Sequence, residues 1–415
     1  MKEKKKMSLP IQILIGLLAG IVVGILLQNN AEIANSFIKP LGTLFLNLIK
    51  LVIVPLVFAS LVVGVADLKD AKQIGKIGMK TFVYFFVTTT FAIIIGLLLA
   101  NLLDVSSGFV LPAEQLEFEA KEAPSFIDTL INIVPSNPLK SLVEGQMLQI
   151  IVFALILGAG LLYSGDKGTA VFNFFDGLQD AMIHITNGIM KFAPIGVFGL
   201  IAPVIAANGP QVLLPLIKVV AIVYLGCILH AFLIYGGSIK LIAKLPAGTF
   251  FRKAFTPWAV AFTTSSSAGT LPISLDTCEN ELGVSKPIAS FVLPLGATIN
   301  MDGTAIYQGV CALFIAKVYG IDMNLGQQLT IVLTTVLASV GTAGVPGAGM
   351  IMLAMVLQGV GIPVEGIALV AGIDRIFDMI RTSINVLGDI SCSVIVAKSE
   401  GKFDEEVYRR QKLSK

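Results

Sequence analysis

From Leu9 to Gln28 the chain runs without one charged side chain, and stretches of similar length and character recur along it. As a helix rising 1.5 Å per residue, such a run crosses the roughly 30 Å hydrocarbon core of a bilayer. Further runs lie at 42–66, 79–103, 146–163, 176–206, 213–239, 287–316 and 366–397. Only 13% of the 415 residues are charged and 55% are hydrophobic, where soluble domains carry about a quarter charged. So few charges cannot cover a water-facing surface, and lipid must be the solvent. The expected fold class is an all-α membrane protein with eight transmembrane helices.

The connections orient these spans, because cytoplasmic loops collect lysine and arginine. The first run follows Lys2, Lys4, Lys5 and Lys6, and reads as an uncleaved helix starting in the cytoplasm. Segment 67–80 holds Lys69, Lys72, Lys76 and Lys80 and reads as cytoplasmic. Segment 104–145 holds Asp104, Glu114, Glu117, Glu119, Glu122 and Asp128 against Lys121 and Lys140, and reads as external. Lys240, Lys244, Arg252 and Lys253 return the chain inside, and the tail is basic. An even number of crossings, with both termini cytoplasmic in a multi-pass cell-membrane protein, satisfies every loop. A net charge of +2 gives no bias toward nucleic acid. The four cysteines lie far apart, which disfavours redox or zinc chemistry. The two histidines, His184 and His230, read as helix-packing residues.

Two stretches do not read as spans. Residues 248–285 centre on Thr263-Thr264-Ser265-Ser266-Ser267-Ala268-Gly269, and residues 325–365 on Gly341-Thr342-Ala343-Gly344-Val345-Pro346-Gly347. A straight helix cannot run through such centres without losing backbone hydrogen bonds. Each is expected to be a re-entrant helical hairpin, the first dipping in from the cytoplasm and the second from outside. Each is followed by a polar-studded helix. That is the inverted-repeat layout which places a site at mid-membrane.

The last span carries Asp374, Arg375, Asp378, Arg381, Asn385 and Asp389. A charge in lipid costs on the order of 3 kcal/mol on insertion scales, so these groups must face a polar interior. At about 100° per residue, Asp374, Asp378, Arg381, Asn385 and Asp389 fall within roughly an 80° stripe, with Thr382 beside it. Asp374 and Arg375 are expected to pair with each other. Three carboxylates and one arginine on the stripe do not neutralise themselves, so cations are missing. The preceding span interrupts itself at Gly296-Ala297-Thr298-Ile299-Asn300-Met301-Asp302-Gly303-Thr304. An unwound turn there would free carbonyls to bind a hard cation beside a carboxylate. The physics composes: Asp378 offers an unpaired carboxylate to an ammonium, and Arg381 a planar fork to a second carboxylate. The hairpin-tip amides suit an α-carboxylate. Asp302 and Asp389 are left for travelling cations. No GxxxxGK[ST] cradle is present for ATP.

At these residues the chain resembles the glutamate/aspartate transporter family, the dicarboxylate/amino acid:cation symporters. The resemblance rests on Ser265-Ser266-Ser267, on Asn300-Met301-Asp302-Gly303-Thr304, on Gly344-Val345-Pro346-Gly347, and on Asp378-x-x-Arg381-Thr382-x-x-Asn385 with Asp389. It implies a homotrimer in which the helices of 1–78 and 104–207 form a scaffold. Against it, 79–103, helix 6 in 208–247, hairpin 248–286, the broken helix in 287–324, hairpin 325–365 and helix 366–399 would move as an elevator, leaving 400–415 as a cytoplasmic tail. It implies sodium as the cotransported ion. Substrate contacts are implied at Asp378 for the amino group, Arg381 for the side-chain carboxylate, and at Ser266, Ser267, Met301, Thr304, Val345, Gly349, Thr382 and Asn385. Sodium sites are implied at Thr88, Thr89, Asn300 and Asp302; at Gly296, Asn300, Asn385 and Asp389; and at Thr298, Ser339, Val340 and Thr342.

The chain departs from the family pattern in four places. Relatives carry an arginine at the position of Ser265 or of Met379, and this chain has neither. Gln308 replaces a proton-binding glutamate of vertebrate members, and Phe85 replaces a tyrosine. Rival readings keep the fold with a neutral amino acid, cystine or a C4-dicarboxylate as substrate, or with proton coupling. From other classes come an intramembrane hydrolase, for which no Gly-x-Gly-Asp or Gly-x-Ser-Gly pattern or histidine near the serines exists, and an anion channel.

Overall fold

The computed structural model describes residues 9–66, 76–106, 131–132, 134–339 and 348–410. They are helical nearly throughout. Among the described residues the sole strand-like pairing is an isolated bridge between Val284 and Phe403. The long helices are α1 (Leu9–Leu26), α2 (Lys39–Ala66), α3 (Lys76–Leu102), α4 (Met147–Ser164), α5 (Thr169–Asn208) and α6 (Leu213–His230), which continues through a wide turn to Leu241. Then come α7 (Ala247–Thr264), α8 (Ser267–Asp276), α9 (Lys286–Ile299), α10 (Asp302–Val318), α11 (Leu325–Ser339), α12 (Ala348–Gly359), α13 (Asp374–Ser399) and the short α14 (Glu405–Arg409). Among the described residues, five helical stretches are long and apolar enough to cross a membrane; one of them, Met147–Asn208, contains both α4 and α5.

The elements differ from the apolar runs where polar residues decide. Helix α5 starts earlier than the run at 176–206, since Asn173 and Asp176 on an exposed turn do not stop a helix. The run at 366–397 is divided: a short helix, Ile367–Ala371, ends at Gly372-Ile373, and α13 begins afresh at Asp374. The restart puts a carboxylate in the first turn, where the helix dipole favours it. The segment at 104–145 contains a helix, Pro138–Glu144, started by Asn137 accepting from the Lys140 amide and by proline at the first position.

Two groups of helices segregate. Helix α5 lies along both α1 and α2, and α2 along α4. In the other group α13 is central and touches α3, α6, α7, α8, α9 and α10. Its spanning window is 94% buried, against 33–56% for the other four stretches, so α13 is no lipid-facing helix. The helix pair α7/α8 packs on it, while α11 and α12 pack on α10, α11 also on α3, and α12 also reaches across to α2.

The C-terminal segment fastens this second group at its base. The Asp404 amide donates to the Gly283 carbonyl at 2.7 Å, and Lys253 Nζ donates to the carbonyls of Glu281 and Val407. Glu400 pairs with Lys80, and the Lys80 hydrogen bond holds its carboxyl below the usual range.

Candidate functional site

The break between α9 and α10 is the first element of the site. Helix α9 stops because Asn300 takes an extended conformation (φ −86°, ψ 104°), and α10 restarts at Asp302. The Asn300 side chain compensates for the lost helical bonds. Its Nδ2 donates to the Asn385 carbonyl at 2.8 Å and to Asp389 Oδ1 at 2.9 Å. In return, Asn385 Oδ1 accepts from the Gly303 amide at 2.8 Å. The unwound turn is thus stitched to α13 along its polar stripe. Asn385 Nδ2 faces Thr304 Oγ1 at 3.5 Å and Met301 Sδ at 3.4 Å.

Around Arg381 the charges are closed. Its Nη1 and Nη2 lie 2.9 and 3.3 Å from the two Asp374 oxygens, a bidentate arrangement. Its Nε and Nη2 lie 3.0 and 2.9 Å from Asp378 Oδ1. The Tyr307 ring covers the guanidinium at 4.8 Å. Gly349, at the start of α12, packs directly on it: a Cβ there would lie 2.2 Å from Nη1. All three ionic groups are buried. This corrects two expectations. Asp378 is not unpaired, and Asp374 pairs with Arg381 rather than Arg375. The reason is geometric: neighbours on a helix point about 100° apart, whereas Asp378 and Arg381 are three apart on one face.

A second pair of acids has no such partner. Asp302 accepts from Thr89 Oγ1 at 2.6 Å and from Tyr235 Oη at 2.7 Å, and meets His230 Nε2 at 3.0 Å. Asp389 accepts from Asn300. Neither makes an ion pair with lysine or arginine among the described residues. Asn300 Oδ1 is buried with no hydrogen-bond partner, an oxygen acceptor left unused beside Asp389. Gly296 brings the α9 backbone onto Asp389, where a Cβ would stand 2.4 Å from Oδ1. Oxygen donors, one carboxylate and no room for a side chain suit a small hard cation.

The remaining candidates are spread along the elements that flank α13. Thr88 bonds back to the Phe85 carbonyl. Thr298 is exposed and bonds to Leu295, and Ser339 ends α11 with its hydroxyl on Val336. Ser266 caps α8, accepting from the Gly269 amide at 3.0 Å, and Ser267 is buried beside it. Thr382 Oγ1 lies 3.4 Å from Asp378. Val340, Thr342 and Val345 lie outside the described residues, as does the tip expected at 341–347.

A cavity of about 420 Å³ opens between the two helix groups. Leu9, Ile13 and Phe45 line one side with Asn187 and Lys191 of α5; Thr264, Met350, Asp374, Arg375 and Asp378 line the other. Its volume suits a small solute.

Sequence reasoning missed four residues. His230 is not a packing residue but a partner of Asp302, and Tyr235 joins it five positions on. A lone histidine within an apolar span was the available signal, since ionisable groups in spans are functional by default. His184, by contrast, does bond within its own helix, to the Asp180 carbonyl. Tyr307 and Lys191 gave no signal: one is an ordinary aromatic, the other a lone lysine in a long helix.

Comparison with known proteins gives a consistent picture. A model of the sodium:dicarboxylate symporter family matches residues 9–399. The proton/sodium-glutamate symport protein of Geobacillus stearothermophilus is 41% identical over 410 residues, 97% of either chain. The proton/glutamate-aspartate symporter of Escherichia coli (strain K12) is 37% identical, covering 99% of this chain and 98% of its own. The C4-dicarboxylate transport protein of Bacillus subtilis (strain 168) is 36% identical, covering 96% and 95%.

Proposed function

This chain belongs to the sodium:dicarboxylate symporter family, and from that premise we propose that it imports an acidic amino acid, aspartate or glutamate, together with sodium ions. It is a transporter and not an enzyme. The observation that carries the substrate is the single buried guanidinium of Arg381, held between two carboxylates and adjoining a cavity. A substrate side-chain carboxylate takes the place of one internal acid on Arg381, and the released Asp378 receives the substrate ammonium. The side-chain carboxylate and the ammonium are then each matched, and the charge of the remaining α-carboxylate is balanced by the cotransported cation.

Sodium is supported by Asp302 and Asp389, which meet no lysine or arginine among the described residues, and by the idle Oδ1 of Asn300. Proton coupling is the second reading, since two relatives carry "proton" in their names. Gln308, buried in α10, offers no titratable group for it. A C4-dicarboxylate substrate, as named for one relative, would leave Asp378 without an ammonium to hold.

For movement, we take α1, α2, α4 and α5 as a trimeric scaffold, and the α13-centred group with its hairpins as the elevator. Taking the N-terminus as cytoplasmic, we read the cavity walled by Leu9 and Ile13 as opening inward. The test is uptake of a labelled amino-acid and dicarboxylate panel in proteoliposomes under imposed sodium or proton gradients. Accumulation of aspartate or glutamate only when sodium is imposed is the expected result. Succinate uptake exceeding both, or uptake driven by protons alone, overturns it.

A further inference from the structure

Helix α7 ends at the tip of the first hairpin, where Ser265 turns into the left-handed region (φ 53°). The last carbonyls of a helix have no partner within it and carry the negative end of its dipole. Two of these carbonyls are not left to water. Arg375 Nη2 lies 3.2 Å from the Thr263 oxygen and 3.5 Å from that of Thr264, across a separation of 112 residues. The same guanidinium places Nη1 3.7 Å from Asp378 Oδ2, the oxygen that Arg381 does not take. Arg375 therefore bridges three acceptors on two elements, at the wall of the cavity between Thr264 and Asp378.

We propose that Arg375 is a positioning residue that caps the C-terminal end of α7 and pins the first hairpin's tip to the helix bearing Asp378. The proposal deepens the function proposed above by naming what holds the wall between site and cavity. The case rests on shape as well as charge. A lysine ammonium is a point donor that reaches one acceptor well, whereas the planar guanidinium fork serves a carboxylate and a carbonyl pair together. Its side chain is only one-fifth exposed, so these contacts are shielded far better than those of a surface pair. Ser265, next to the bridged carbonyls, is buried. Neither Ser265 nor Met379 can supply a positive charge at that tip.

The experiment uses the burial of Ser265. The four native cysteines are all buried, so a Ser265→Cys reporter has a low background. Its labelling rate by a water-soluble maleimide is measured in proteoliposomes, with Arg375 intact, with Arg375→Met and with Arg375→Lys. Loss of two or three charge-assisted contacts is expected to raise labelling roughly tenfold or more in the methionine variant. The lysine variant is expected to fall between, because it restores the charge without the fork. Labelling of Arg375→Met at the parent rate overturns the proposal. So does labelling of Arg375→Lys as fast as Arg375→Met, since the cation would then hold nothing. Should Arg375→Met not fold, Arg375→Gln takes its place in the same comparison. Failure of the unmodified protein to move any acidic amino acid would sink the function above and leave this labelling test standing.

Discussion

Four buried acids line one face of α13 and the unwound turn facing it, and they divide into two kinds. Asp374 and Asp378 share the guanidinium of Arg381. Asp302 and Asp389 are met by neutral hydroxyls, an amide and a histidine, with no lysine or arginine in contact among the described residues. Both solutions satisfy hydrogen bonding, but only the first balances charge. A carboxylate buried without a counter-charge is costly by several kcal/mol. The first region therefore has to give something up before it can bind, and the second gains by binding. Under the function proposed above, such a division suits coupling: cations would complete the second region, and the anionic solute would compete for the arginine in the first.

The largest effect should come from emptying the first region. Arg381→Ala removes the only guanidinium contacting Asp374 along with Asp378's nearest cation. Uptake of aspartate and glutamate is expected to fall at least about a hundredfold, the loss of roughly 3 kcal/mol of charge-assisted bonding. Concentration-dependent uptake, with the elution profile as a folding control, checks it. Unchanged aspartate affinity would reject the role of Arg381.

The next effect should come from the second region. Asp389→Asn keeps the shape and removes the charge. The amide can still meet Asn300, so the fold is expected to persist. Half-maximal sodium concentration is expected to rise about tenfold or more, while affinity for substrate at saturating sodium changes far less. Uptake titrated against sodium at constant ionic strength measures this. An unaltered sodium curve would mean that the two regions do not differ in the way their partners indicate.

Much of this division was legible in the chain. The polar stripe on α13, the break at Asn300-Met301 and the serine-rich turn follow from spacing and from the cost of charge in lipid. What spacing could not deliver was who pairs with whom. Arg375 and Arg381 are both arginines on one helix, yet the fork of Arg381 faces inward to Asp374 and that of Arg375 reaches a hairpin tip. That choice depends on where α7 packs against α13, which no local pattern encodes. His230 and Tyr235 were missed for the same reason. Their partner, Asp302, lies 72 and 67 residues further along the chain.

A smaller change probes the packing that keeps the first region closed. A Cβ at Gly349 would stand 2.2 Å from Arg381 Nη1. Gly349→Ala must displace the guanidinium or the start of α12, at a cost of about 1–3 kcal/mol for overpacking. KM for aspartate is expected to rise about tenfold with little change in sodium dependence. If sodium dependence moves as much as KM, the two regions are mechanically one, and the comparison fails.

The smallest effect belongs to an acid outside the seam. Glu400 is paired with Lys80 at the water-facing end of α13, and that hydrogen bond holds its carboxyl below the usual range. A carboxyl so held favours the folded state at neutral pH. The contribution fades as pH falls from the ordinary glutamate range, about 4.3, through the lowered folded value. Glu400→Gln is therefore expected to lower the thermal unfolding midpoint slightly at pH 7, with aspartate and sodium titrations unchanged. On acidification the two proteins should converge, because the parent loses the same charge by protonation. Thermal unfolding followed across pH checks this. It also isolates what burial adds: an ion pair at the water-facing end of the helix tunes stability alone, whereas the buried acids eleven to twenty-six residues before it face the proposed binding site.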